Sequence, residues 1–123
     1  MGCGSSSGAY AVAPVEYGDA PRSDGPHVTH GMASKGGKGE FQNQDSPLAV
    51  PRIGGIPNAH LFAVFDGHGA AGKEVSNFLK ASFPHMLLGD SNFPRKPSLA
   101  LRNAALSVNE KLKFSGIDAV HSG

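Results

Sequence analysis

The segment that most constrains this chain is His60-Leu-Phe-Ala-Val-Phe65, a nearly continuous apolar run of strand length that ends directly on Asp66-Gly67-His68-Gly69. Such a run reads as a buried strand, and a carboxylate at its end is held rigidly where a ligand can reach it. Hard divalent cations such as Mg2+ and Mn2+ take carboxylate, carbonyl and water oxygens. Asp66 is therefore a candidate metal ligand, and Gly67 lets the backbone approach closely enough for its carbonyl to join the site. Imidazole is the side chain that titrates near neutral pH, which makes His68 a candidate proton donor to a leaving group. A bare Asp-Gly-His-Gly is also a common turn before a helix, so the surrounding sequence has to carry the assignment.

Upstream, Gly, Ser and Pro supply twelve of the first 28 residues, with no helical or strand period. Residues 1–28 are expected to form a disordered arm, and residues 29–123 a folded unit. Asp45-Ser-Pro-Leu-Ala-Val-Pro-Arg-Ile53 has room for a short strand limited by Pro47 and Pro51. Gly54-Gly-Ile-Pro-Asn58 reads as a hairpin-like turn into the apolar run. Downstream, Val75, Phe78, Leu79, Ser82 and Met86 fall on one face of a helix that Gly89 stops. After a loop over 90–97, Ser98 is a good N-cap for a second helix, with Leu101, Ala105, Val108 and Leu112 as its apolar face and Gly116 at its end. Two helices with apolar stripes and two or three short strands make a poor core. The chain is therefore expected to be incomplete.

The order of these elements is similar to the N-terminal part of the type 2C (PPM) metal-dependent serine/threonine protein phosphatases. Phe-Asp-Gly-His-Gly after an apolar strand resembles that family's signature. Asn43-Gln44-Asp45 resembles the Asn-Gln-Asp form of its first metal motif, familiar among plant-like members, and Ser122-Gly123 resembles the start of its Ser-Gly-Thr-Thr strand. The spacing from Asp45 to Asp66 suits two antiparallel strands joined by a turn. The resemblance covers about residues 30–123. It implies an α+β fragment of a four-layer αββα fold, with two β-sheets between helical layers, monomeric when complete. It further implies that Asp45 binds metal directly or through water, that Asp66 bridges two Mn2+ or Mg2+ ions, and that Gly67 adds its carbonyl. His68 would be the general acid in hydrolysis of phosphoserine and phosphothreonine in phosphoprotein substrates.

Two positions depart from the family pattern. Many members carry Glu where this chain has Gln44, and Gln supplies no negative charge. Many carry a phosphate-gripping Arg where this chain has Glu40; the nearest cation is Lys38, a point charge without the bidentate fork of Arg. Lys38 is retained as a candidate phosphate contact. The family's remaining metal carboxylates lie beyond its Ser-Gly-Thr-Thr strand, and Asp90 and Asp118 do not match their motifs. The isolated chain is accordingly expected to bind metal poorly and to show little activity.

Other readings compete. Gly67-His-Gly-Ala-Ala-Gly-Lys73-Glu74 nearly spells a nucleotide-binding P-loop, but Glu74 stands where a Mg2+-binding hydroxyl is needed and would repel phosphate. Met1-Gly2-Cys3-Gly4-Ser5-Ser6 fits the N-myristoylation pattern at Gly2. A single myristoyl chain binds membranes only marginally, and Cys3 beside it offers a palmitoylation site. These residues imply a cytoplasmic protein with membrane association, and they support the alternative of a non-catalytic membrane-tethered interaction fragment. The formal net charge of +1 provides no field for nucleic acid. The single cysteine excludes an internal disulfide framework. His27, His30, His60, His85 and His121 share no metal-ligand spacing.

Overall fold

A computed structural model describes residues 28–38 and 42–122. Gly2, Cys3 and nearly all of the arm expected over residues 1–28, as well as Glu40 and Gly123, lie outside the described residues. The elements run in the order β1 (Ser46–Val50), a 3-10 turn (Ile53–Gly55), β2 (Leu61–Phe65), α1 (Gly72–Gly89) and α2 (Pro97–Lys113). This is an α+β arrangement: a two-stranded antiparallel sheet with α1 packed on it and α2 packed on α1.

The hairpin forms as the spacing predicts. β1 stops at Pro51, and Ser46 pairs with Phe65 through to Val50 with Leu61. The connection is more tightly wound than a simple turn. Arg52, Gly54 and Gly55 all have positive φ, and the Ile53 amide donates to the Ala59 carbonyl at 2.8 Å. A side chain on Gly54 would come within 2.7 Å of Leu88, so the turn sits directly against α1. That winding drives Ile53, 1% exposed, into the core beside Val50, Leu61, Leu87, Ala100 and Ala104.

β2 corrects the expectation of a strand buried on both faces. Leu61 is buried and Ala63 and Phe65 are partly buried, but Phe62 is 49% and Val64 68% exposed. Among the described residues only one face of the sheet is covered by helices, so alternate side chains point to solvent. The rings of His30 and His60 lie against Phe62, at centroid distances of 5.3 and 6.4 Å. His60 also accepts the Arg52 amide through Nδ1, a structural role.

α1 presents the expected face: Val75, Phe78 and Ser82 are buried, and Leu79 and Met86 partly so. It runs through Pro84 and ends at Gly89. α2 differs from expectation in two respects. It begins at Pro97, with Lys96 before it and no side-chain cap, so Ser98 lies inside the helix instead of capping it. Proline at the first helical position brings a preset φ and lacks only an N–H that would have no partner there. The buried face is Ala100, Ala104, Val108 and Leu112, leaving Leu101 40% exposed and Ala105 exposed. The two alanines, at 0% and 1% exposure, let α2 lie close against Leu87 of α1. A leucine at either position would hold the helices apart. A second cluster of Val75, Phe78, Val108 and Leu112 joins the other ends of the helices, and Ile117 and Ala119 pack on it as the chain returns toward the sheet.

No helix among the described residues is long and apolar enough to cross a membrane.

Candidate active site

The hairpin register ends with Ser46 opposite Phe65, so Asp45 and Asp66 each stand one residue beyond the last pair, at the same end of the hairpin. Asp45 is half-buried, and Asp66 and His68 are exposed.

The Asp66–Gly69 turn is held from three sides. Beneath it, a Cβ on Gly67 would fall 2.2 Å from the Gly72 carbonyl oxygen and 2.8 Å from that of Gln44, so only glycine fits. On the β1 side, the Gln44 amide donates through Nε2 to the Gly69 carbonyl at 2.9 Å. On the far side, Gly69 adopts φ +75 and lies so close to His121 that a Cβ would be 2.4 Å from its carbonyl oxygen. Ser122 completes this contact: its Oγ accepts the Ala71 amide at 3.0 Å. Ala71, the residue preceding α1, has no side-chain oxygen of its own to cap the helix. A hydroxyl 51 residues away satisfies one of its open amides instead.

A buried polar network fixes β1 on α1. Ser76 Oγ donates to the Gln44 carbonyl at 2.5 Å and lies 2.9 Å from Ser46 Oγ, which donates to Asn77 Oδ1 at 2.8 Å. Lys73 Nζ donates to the Asp45 carbonyl at 3.1 Å. Lys73 is therefore partly buried and tied to the start of β1. This use of Lys73 lends nothing to the P-loop reading, in which the same ammonium would serve a phosphate. Upstream, Asn43 Oδ1 accepts the Asp45 amide at 3.1 Å, and its Nδ2 donates to Ser34 Oγ at 2.7 Å. Lys38 is exposed.

Carboxylates and a backbone carbonyl are donors of the kind a hard cation takes. Among the described residues no group of three or more His, Cys, Asp or Glu gathers. Asp45, Asp66, Gly67 and His68 stand as the sequence-based candidates; the sequence did not point to the contacts of Ser46, Lys73 and Ser76 or to the capping role of Ser122. The one available signal was the pair of small residues Gly72 and Ser76, four apart on α1, which allows close approach to β1.

The chain is 43% identical over 82 residues to probable protein phosphatase 2C 35 of Arabidopsis thaliana, covering 67% of this chain and 24% of that protein. It is 31% identical over 99 residues to probable protein phosphatase 2C 62 of Oryza sativa subsp. japonica, covering 80% and 33%. With probable protein phosphatase 2C 44 of the same plant it shares 34% over 83 residues, covering 68% and 25%. No family model and no solved structure matches the chain. The chain spans about a quarter to a third of the length of these curated relatives. It belongs to the type 2C protein phosphatase family.

Proposed function

We propose that these residues form the first half of a two-metal centre that hydrolyses phosphoserine and phosphothreonine in proteins. The observation carrying the proposal is the hairpin register, which leaves Asp45 and Asp66 one residue beyond its last pair at the same end, in a chain 43% identical over 82 residues to a probable protein phosphatase 2C. Asp45, Asp66 and the Gly67 carbonyl would hold Mn2+ or Mg2+. When bound, such ions supply a water nucleophile at neutral pH and offset phosphate charge. His68, exposed beside Asp66, donates a proton to the departing seryl or threonyl oxygen. Lys38 contributes a positive charge toward the substrate phosphate. The exposed face of β2, with Phe62 and Val64, suits a second sheet and hence the four-layer architecture. Residues 1–28 act as an arm that attaches the protein to membranes through acyl chains on Gly2 and Cys3.

The test is Mn2+-dependent release of phosphate from a phosphothreonine peptide by the natural protein. His68→Ala is expected to lower turnover by about 100-fold or more, and Asp66→Asn to weaken Mn2+ binding as well. Wild-type turnover by Asp66→Asn would sink the assignment.

A further inference from the structure

We infer that Gln44 is a positioning residue for the metal centre, acting through the Asp66–Gly69 turn and not facing the cation. The inference rests on the metal-centre reading above for its consequence, but the contacts that carry it stand apart from that reading. Only the nitrogen end of a carboxamide can face a carbonyl oxygen, so the 2.9 Å contact from Gln44 Nε2 to Gly69 O fixes the orientation of the whole side chain. Its Oε1 is then turned toward the first turn of α1, where a Cβ on Gly72 would lie 2.2 Å from it. That oxygen is buried without a hydrogen-bond partner. The main chain of Gln44 is anchored separately, its carbonyl accepting Ser76 Oγ. Gln44 thus ties the segment leading into β1, fixed on α1, to the turn that carries Asp66, and Asp45 is the next residue along that segment. The separation of the two carboxylates is set across this link.

A glutamate here would be acceptor-only and could not donate to Gly69. Geometry and charge then predict opposite signs. If Gln44 faced the cation, Gln44→Glu would add a negative charge to the site and tighten binding. As a positioning residue, Gln44→Glu loosens binding despite the added charge, and the uncharged Gln44→Leu loosens it too.

The experiment is titration of the natural protein with Mn2+, free ion being read by electron paramagnetic resonance well below the melting temperature. Wild type, Gln44→Glu, Gln44→Leu and Asp66→Asn are compared, with amide exchange of Ala71 and Gly72 followed by NMR. Both Gln44 variants are expected to weaken Mn2+ about fivefold and to speed exchange of these two amides by a similar factor, the size expected from losing one hydrogen bond. Tighter binding by Gln44→Glu, or wild-type binding by Gln44→Leu, overturns the inference. If wild type and Asp66→Asn bind Mn2+ alike, it is the metal reading that fails. The link is then decided by exchange alone: faster exchange in Gln44→Leu upholds it, and unchanged exchange overturns it.

Discussion

Two serines on one helix should respond in opposite directions to the same substitution. Ser76 and Ser82 both lie on α1, six residues apart, and both are 0% exposed. Ser76 Oγ is the hub of a network, reaching the Gln44 carbonyl and Ser46 Oγ, whereas Ser82 Oγ is buried with no partner. Replacing either with alanine gains about 0.5 kcal/mol of helix propensity. At Ser76 that gain is outweighed: the Gln44 carbonyl is orphaned and Ser46 Oγ loses the polar neighbour beside it, together costing about 2–3 kcal/mol. At Ser82 the change removes a buried hydroxyl whose desolvation is uncompensated, a relief of about 1 kcal/mol or more. Ser76→Ala should therefore destabilise by about 2 kcal/mol and Ser82→Ala stabilise by about 1.5 kcal/mol. At about 4–8 °C per kcal/mol for a domain of this size, the two melting temperatures should differ by roughly 14–28 °C. Urea denaturation followed by circular dichroism, supported by thermal melts, measures both variants against wild type. A destabilised Ser82→Ala, or a neutral Ser76→Ala, would refute the reasoning, because the buried network would then not set the sign.

Three further outcomes are expected. Gly67→Ala forces a Cβ against two backbone oxygens and should cost about 1–3 kcal/mol or more in urea denaturation, with loss of Mn2+ binding in the same titration used for Gln44. Hydrogen bonds from the Asn103 side chain, and then from the Asn92 backbone and side chain, hold the Asp90 carboxyl below the usual carboxylate range, opposed by slight desolvation. Its contribution to stability is thus complete above the unfolded value near pH 4 and is lost as pH falls through the lower folded value. The acid limb of a stability–pH curve should flatten in Asp90→Asn. Finally, Gly2→Ala should abolish incorporation of labelled myristate on expression in a eukaryotic cell, and incorporation that persists would refute acylation at Gly2.

The hairpin was legible in the sequence because it depends on spacing. Two strand-length segments separated by a turn leave little choice of register, and that register leaves Asp45 and Asp66 at the same end of the hairpin. The apolar face of α1 was legible for a similar reason, since helical periodicity marks it. On α2 the same periodicity misplaced the first half of the face. Alanine and leucine both read as apolar, and only the close approach of α1 selects the smaller pair. The exposure of Phe62 and Val64 was not legible, because it depends on what lies across the sheet. Least visible were the polar ties. Gln44 to Gly69, Ser76 to Gln44 and Ser122 to Ala71 join residues 25 to 51 positions apart, and single hydroxyls and carboxamides leave no periodic trace.

The contact between Ser122 and Ala71 also has a consequence for the order in which the molecule can be assembled. A helix start is ordinarily satisfied by a neighbour in sequence, at almost no cost in loop closure. Here the amide at the head of α1 waits for a hydroxyl that emerges from the ribosome only after both helices have been made. At synthesis rates of about 5–20 residues per second, the turn bearing Asp66 and His68 stays unlatched for several seconds while the hairpin beneath it can already form. The turn bearing Asp66 and His68 therefore closes only after both helices have been made. A nascent chain arrested before Ser122 should carry both helices and the hairpin yet leave that turn open to proteases.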